Sequence, residues 1–93
     1  MMDPQSHEIS DHAKFQMKRR GISENMVDTV LKNPEQVIES ISGRKILQSR
    51  FSFSEREEIK HHLVRVVVDS RAEPPKVVTV YRTSRIEKYW REE

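Results

Sequence analysis

Ninety-three residues, 34% hydrophobic and 34% charged with a net charge of +2, can bury only a modest core; one domain over residues 1–93, built of two layers, is expected. The absence of cysteine excludes disulfides, thiolate metal sites and cysteine nucleophiles. No apolar run approaches the ~20 residues that span a bilayer and no signal peptide is read, so no membrane association and a cytoplasmic location are expected. The charge is unevenly spread: residues 1–43 carry five Lys/Arg and seven Asp/Glu, residues 44–93 twelve and eight. The C-terminal half therefore holds the basic surface suited to a polyanion.

In chain order, Met1–Ser6 carry no periodic signal, and His7–Ile9 suit at most a short edge strand; residues 1–9 are expected to be a flexible or edge-strand lead-in. Ser10 or Asp11 caps a first helix that runs to about Arg20, with Ala13, Phe15 and Met17 as its apolar residues and His12, Gln16 and Arg19 as a polar stripe. Gly21 sits where the helix ends in the left-handed conformation, which pairs Met17 with Ile22 across the stop. Ser23 then caps a second helix, about Glu24–Lys32, and Ile22 can staple against Val27. Met26, Val27, Val30 and Leu31 give that helix one buried face, and Asn33-Pro34 ends it.

The period then changes to two. Gln36–Ile41, a Ser42-Gly43 turn and Arg44–Phe53 read as a hairpin, with Leu47, Phe51 and Phe53 on one face and Ile46, Gln48 and Arg50 on the other. Ser54–Lys60 reads as a solvated loop. His61–Asp69, apolar on both parities, reads as a central strand. Ser70–Pro75 connects to a strand over Lys76–Arg82, where Val78 and Val80 oppose Val77, Thr79 and Tyr81. Ser84-Arg85-Ile86-Glu87 fits a capping box opening a short helix through Tyr89 and Trp90, docked by Ile86 and Trp90. The expected class is α+β: two N-terminal helices on one face of a four-stranded antiparallel sheet, a short C-terminal helix, and a second sheet face left partly open.

His12-Ala13, Met17, Arg20-Gly21-Ile22-Ser23, Asn33-Pro34-Glu35 and Val77–Arg82 leading to Lys88-Tyr89-Trp90 together resemble a family of small bacterial domains of unknown function, related to BrnT and more distantly to the RelE/ParE toxins. The resemblance implies a RelE-like fold and, by extension, an RNA-cleaving toxin of a type II toxin–antitoxin system, neutralised by an antitoxin protein. The family usually carries arginine four residues after the histidine, where this chain has Gln16.

Metal-independent RNA cleavage needs a base for the 2′-hydroxyl, an acid for the leaving oxygen and cations for the phosphate. His12, Tyr81 and Arg82 are the candidate catalytic residues; Arg19, Arg20, Arg50 and Arg65, with Lys45, Lys88 and Tyr89, are candidates to hold RNA or its phosphates. Each has a plainer reading: His12 as a helix-start residue, Arg19 and Arg20 as cations favoured by a helix C-terminus, Tyr81 and Arg82 as the rim of the sheet. His61-His62 on a strand point to opposite faces, so no metal or other cofactor is expected. Two functions follow: an RNA- or ribosome-directed endoribonuclease, or a non-catalytic protein-binding module of the same fold, with dimerisation left open. Convergence of His12 or Tyr81/Tyr89 with at least two arginines favours the first, and dispersal the second.

Overall fold

The computed structural model describes residues 7–40 and 42–92; the expectations placed on Met1–Ser6 and on Ile41 lie outside them. The elements are β1 (Glu8–Ile9), α1 (Asp11–Arg20), α2 (Glu24–Lys32), β2 (Gln36–Glu39), β3 (Arg44–Glu55), β4 (Glu58–Asp69), β5 (Lys76–Thr83) and α3 (Ile86–Tyr89). No helix among the described residues is long and apolar enough to cross a membrane.

The helical corner forms as its residues dictate. Ser10 Oγ accepts from Ala13 N at 3.0 Å and Ser23 Oγ from Met26 N at 3.1 Å, each satisfying a first-turn amide. Gly21 takes φ 68°, and Ile22 N donates to Met17 O at 2.8 Å, the bond that closes a left-handed helix stop. Met17, Ile22 and Val27 are all buried in the same core cluster, so the stop and the staple share their apolar contacts.

The sheet corrects the expected one. It has five strands in the order β1-β5-β4-β3-β2 and is mixed, because β1 pairs parallel with β5 through Glu8↔Lys76 and Ile9↔Val77. A two-residue pairing that spans most of the chain leaves no local periodicity to read. The remaining strands form the antiparallel meander, with β4 in the middle.

Two strand readings also change. Ser54–Lys60 is not a loop: β3 and β4 continue to Glu55↔Glu58, and Arg56 (φ 49°) and Glu57 (φ 66°) close the hairpin alone. Positive φ at both central residues is the primed turn that matches strand twist, usually built from Asn or Gly; its Arg-Glu sequence conceals it. In β5, Val78 is an extra residue, since Val67 pairs with Thr79 and Val68 with Val77. That bulge restarts the alternation, so Val77 and Val80, of opposite parity, both face the helices.

Val64, Val66 and Val68 of β4, Val77 and Val80 of β5 and Phe53 of β3 meet Ala13, Met17, Ile22, Val27, Val30 and Leu31 in one apolar layer. The expected capping box fails at Ser84. Arg85 occupies the N-cap of α3 without a side-chain bond, and its amide is held by Thr83 Oγ1 at 3.1 Å instead.

Candidate nucleic-acid interface

The second sheet face is crossed by the C-terminal residues and is polar along that crossing, with the fully buried Leu63 beside it. Residues 84–92 form a strap across it, from β5 over β4 and β3 to β2, and each crossing point is polar. Over β4, the Tyr89 ring lies 4.4 Å from the Arg65 guanidinium carbon. Over β3, Gln48 Nε2 donates to Tyr89 O at 3.1 Å, and Arg50 stacks on the Trp90 ring at 4.2 Å. At β2, Gln36 Nε2 donates to Arg91 O at 2.6 Å while its Oε1 accepts from Arg91 N at 3.0 Å.

Beneath the strap the side chains bond to one another. Gln48, fully buried, gives Nε2 to Gln36 Oε1 at 2.8 Å and takes Arg65 Nε on its Oε1 at 2.8 Å. Arg65, 7% exposed, also donates from Nη1 to the Tyr81 hydroxyl. Tyr81 and Tyr89 meet edge to face at 6.5 Å, and Lys88 lies 5.5 Å from the Tyr89 ring. Arg50 is clamped by Glu35 through Nε at 3.1 Å and Nη2 at 3.0 Å, and its backbone amide donates to the same carboxylate at 2.7 Å. The side-chain bonds from Arg50, then its amide, hold the Glu35 carboxyl below its ordinary value.

Of the expected site residues, Arg50, Arg65, Tyr81, Lys88 and Tyr89 therefore share this face. The other five are elsewhere. His12, Arg19 and Arg20 are exposed on α1. Lys45 stands opposite Glu39 near the β2–β3 turn. Arg82 points to the helix side, its guanidinium carbon 4.0 Å from the Phe53 ring and its Nη2 3.2 Å from Glu55 Oε2. His12, Tyr81 and Arg82 are thus kept apart, Tyr81 and Arg82 by the sheet itself, since adjacent strand residues face opposite ways.

His61 and His62 point to opposite faces as expected, and no cluster of metal-ligating side chains occurs among the described residues. His61 Nδ1 is 3.1 Å from Ser52 Oγ, beside an open hollow of about 440 Å³ that Arg50 and Ile86 also line. His62 packs edge-on against Phe53 at 5.2 Å, with its Nδ1 buried and unbonded. Burial, and then the charge of Arg82, pushes the His62 pKa below its usual value.

Sequence reasoning passes over three features. Gln36 and Gln48 sit at in-facing strand positions, where a polar residue amid apolar neighbours is the available signal. The two other basic residues of α1, Lys14 and Lys18, carry no signal of their own beyond charge. Phe15, assigned to the helix's apolar set, is instead 61% exposed. Gln16 serves the fold, because its Oε1 accepts from Val80 N at 3.0 Å, beyond the point where β1 stops covering the β5 edge. Arginine has no acceptor to offer there.

These features define a small α+β domain with a helix-covered face and a polar, strapped face. Residues 9–82 match the family described as a domain of unknown function, DUF4258, and the chain belongs to that family. The match names neither BrnT nor the RelE/ParE toxins, and it stops short of Lys88-Tyr89-Trp90. No curated protein and no solved structure matches the chain.

Proposed function

We propose that this domain is an RNA-binding module of the toxin-like, RelE/ParE-type group that its sequence resembles, and that it acts by binding, with α1 as the contact surface. One observation carries the reading. Phe15 stands at the crest of α1, its neighbours three and four residues away being Asp11, His12, Lys18 and Arg19. Lys14, Lys18, Arg19 and Arg20 are exposed, and none enters an ion pair among the described residues. Solvation and the helix dipole account for the cations but not for a bare phenyl ring among them. Single-stranded RNA answers both features, a base stacking on the ring and phosphates meeting the cations. The separation of His12, Tyr81 and Arg82 supports binding over cleavage.

The test is anisotropy of a labelled single-stranded RNA across a salt series. Phe15→Ala should weaken binding about tenfold, as losing one stacked base of roughly 1–3 kcal/mol implies. Lys18→Ala with Arg19→Ala should flatten the salt dependence by about 0.7 in log–log slope for each phosphate no longer neutralised. Binding indifferent to both changes, or none at about 50 mM salt, rejects the reading. Capture of an acidic, antitoxin-like protein through the same residues would put the protein-binding module in its place.

A second reading, the endoribonuclease, is favoured by His62, Arg82 and Glu55. There a half-buried histidine, its pKa lowered by desolvation and then by Arg82, lies beside an arginine–carboxylate pair. His62 would take the 2′-hydroxyl proton as the 2′-oxygen attacks phosphorus, and the P–O5′ bond would break with the 5′-oxygen taking a proton from water, giving a 2′,3′-cyclic phosphate. Cleavage abolished by His62→Ala would establish it. RNA left whole by wild type, alone or with ribosomes, would exclude it.

A further inference from the structure

Arg65 is a buried cation without a counter-ion. It lies at the centre of the sheet, 7% exposed, and none of the four ion pairs among the described residues includes it. Its partners are the neutral Gln48 Oε1 and Tyr81 hydroxyl, with the rings of Tyr81 and Tyr89 5.6 and 4.4 Å from the guanidinium carbon. Burying a charge costs several kcal/mol unless it is paired, and aromatic faces return only part of that. A neutral donor would tie Gln48 to Tyr81 without the cost. A guanidinium retained here is explained by an anion that the protein itself does not supply.

The donors for such an anion are in place. Arg65 Nη2 enters no hydrogen bond among the described residues, and it is not one of their buried, unbonded side-chain atoms. Tyr81 accepts from Arg65, so its own O–H proton is free to donate elsewhere. Lys88 is exposed beside the Tyr89 ring, where it adds a positive charge.

We infer that Arg65 Nη2, the Tyr81 hydroxyl and Lys88 form a binding site for a phosphate group at the edge of the C-terminal strap. The guanidinium supplies the desolvated charge, Tyr81 a directional donor and Lys88 attraction from outside. The group is either a free phosphate or a phosphate of RNA. The site lies across the sheet from α1, and it does not depend on α1 contacting RNA.

Three probes distinguish the sources: inorganic phosphate, a 5′-phosphorylated dinucleotide, and the same dinucleotide with only its internal phosphodiester. Each is titrated while the Arg65 side-chain N–H and the Tyr81 ring signals are followed by NMR. Saturable shifts with phosphate or the 5′-phosphorylated probe assign a terminal phosphate; shifts with all three assign any phosphoryl group. Tyr81→Phe keeps the ring packing but strands Arg65 Nη1, so it should lower the melting temperature somewhat and, read well below that temperature, weaken phosphate binding about tenfold. Lys88→Ala should weaken it a few-fold and reduce its salt dependence. Arg65→Lys, which keeps the charge but loses the fork, should cost more than tenfold. No shift with any probe at millimolar concentration and low salt overturns the inference, as does binding indifferent to Tyr81→Phe. Changes at Phe15, Lys18 and Arg19 should leave phosphate binding intact, so the α1 reading and this site can fail separately.

Discussion

The two faces of one sheet are built on opposite physical terms. Against α1 and α2, the strands present valines that are at most 3% exposed, a surface whose attraction is non-directional and grows with area. Against the strap they present, beside the buried Leu63, a row of polar residues, Gln36, Gln48, Arg65 and Tyr81, each held by named bonds. Such bonds add little net stability but cost heavily when left half made. The first face should decide whether the chain folds, and the second where residues 84–92 lie.

The largest expected effect separates those roles. Met17→Ala empties a buried position between α1 and the sheet and should cost about 2–5 kcal/mol, lowering the urea midpoint of the whole domain. Gln48→Leu keeps the bulk but strands Arg65 Nε and Tyr89 O. It should cost about 1–3 kcal/mol, and the strap should loosen first, seen as a red-shifted Trp90 emission and early amide exchange over residues 84–92. Strap and core melting together in Gln48→Leu would erase the distinction.

The same contrast explains what the sequence discloses. Ser10, Gly21 and Ser23 act through bonds to residues three to five positions away, and the alternation of Leu47, Phe51 and Phe53 reports its own strand. Both kinds of signal are local, so the helical face is legible. The strap is not, because Gln36 meets Arg91 across 55 positions and no periodicity records such a pairing. Tyr81, Tyr89 and Arg65 stand out by residue type, but only the register that sets Arg65 opposite Tyr81 brings them together. His12 draws attention by its residue type, whereas His62 is the histidine that β4 places beside Phe53 and Arg82. The Arg56-Glu57 turn and the Val78 bulge escape a sequence reading because neither carries the usual residues for its geometry.

A smaller effect is expected at the join between α1 and the sheet edge. Gln16→Arg removes the acceptor for Val80 N, so it should cost about 1–2 kcal/mol. Faster exchange confined to the Val80 amide would mark the cause. An unchanged melting temperature would show that water replaces Gln16, leaving the β5 edge without need of a side-chain seal.

The smallest effects come with acidification, and they fall in different pH windows on the two faces. His62, on the helix side, has a folded pKa below 6.5 because burial, then Arg82, disfavours its charged form. The unfolded chain therefore binds the proton more readily, and stability declines as pH falls below about 6.5. Glu35, which anchors Arg50 under Trp90, has a folded pKa below 4.5 because Arg50 bonds to its ionised form. Its contribution is complete above about 4.5 and is lost as pH falls through the folded value. Both Glu35 and Arg50 are more than one-third exposed, so solvent screening keeps this second loss small and directs it to the strap. Urea midpoints from about pH 7 to pH 3, read beside Trp90 fluorescence, should show an early step removed by His62→Gln and a late, Trp90-linked step removed by Glu35→Gln. A midpoint that rises on acidification through 6.5 would reverse the assignment of His62, since only a charged-state preference in the fold gives that sign.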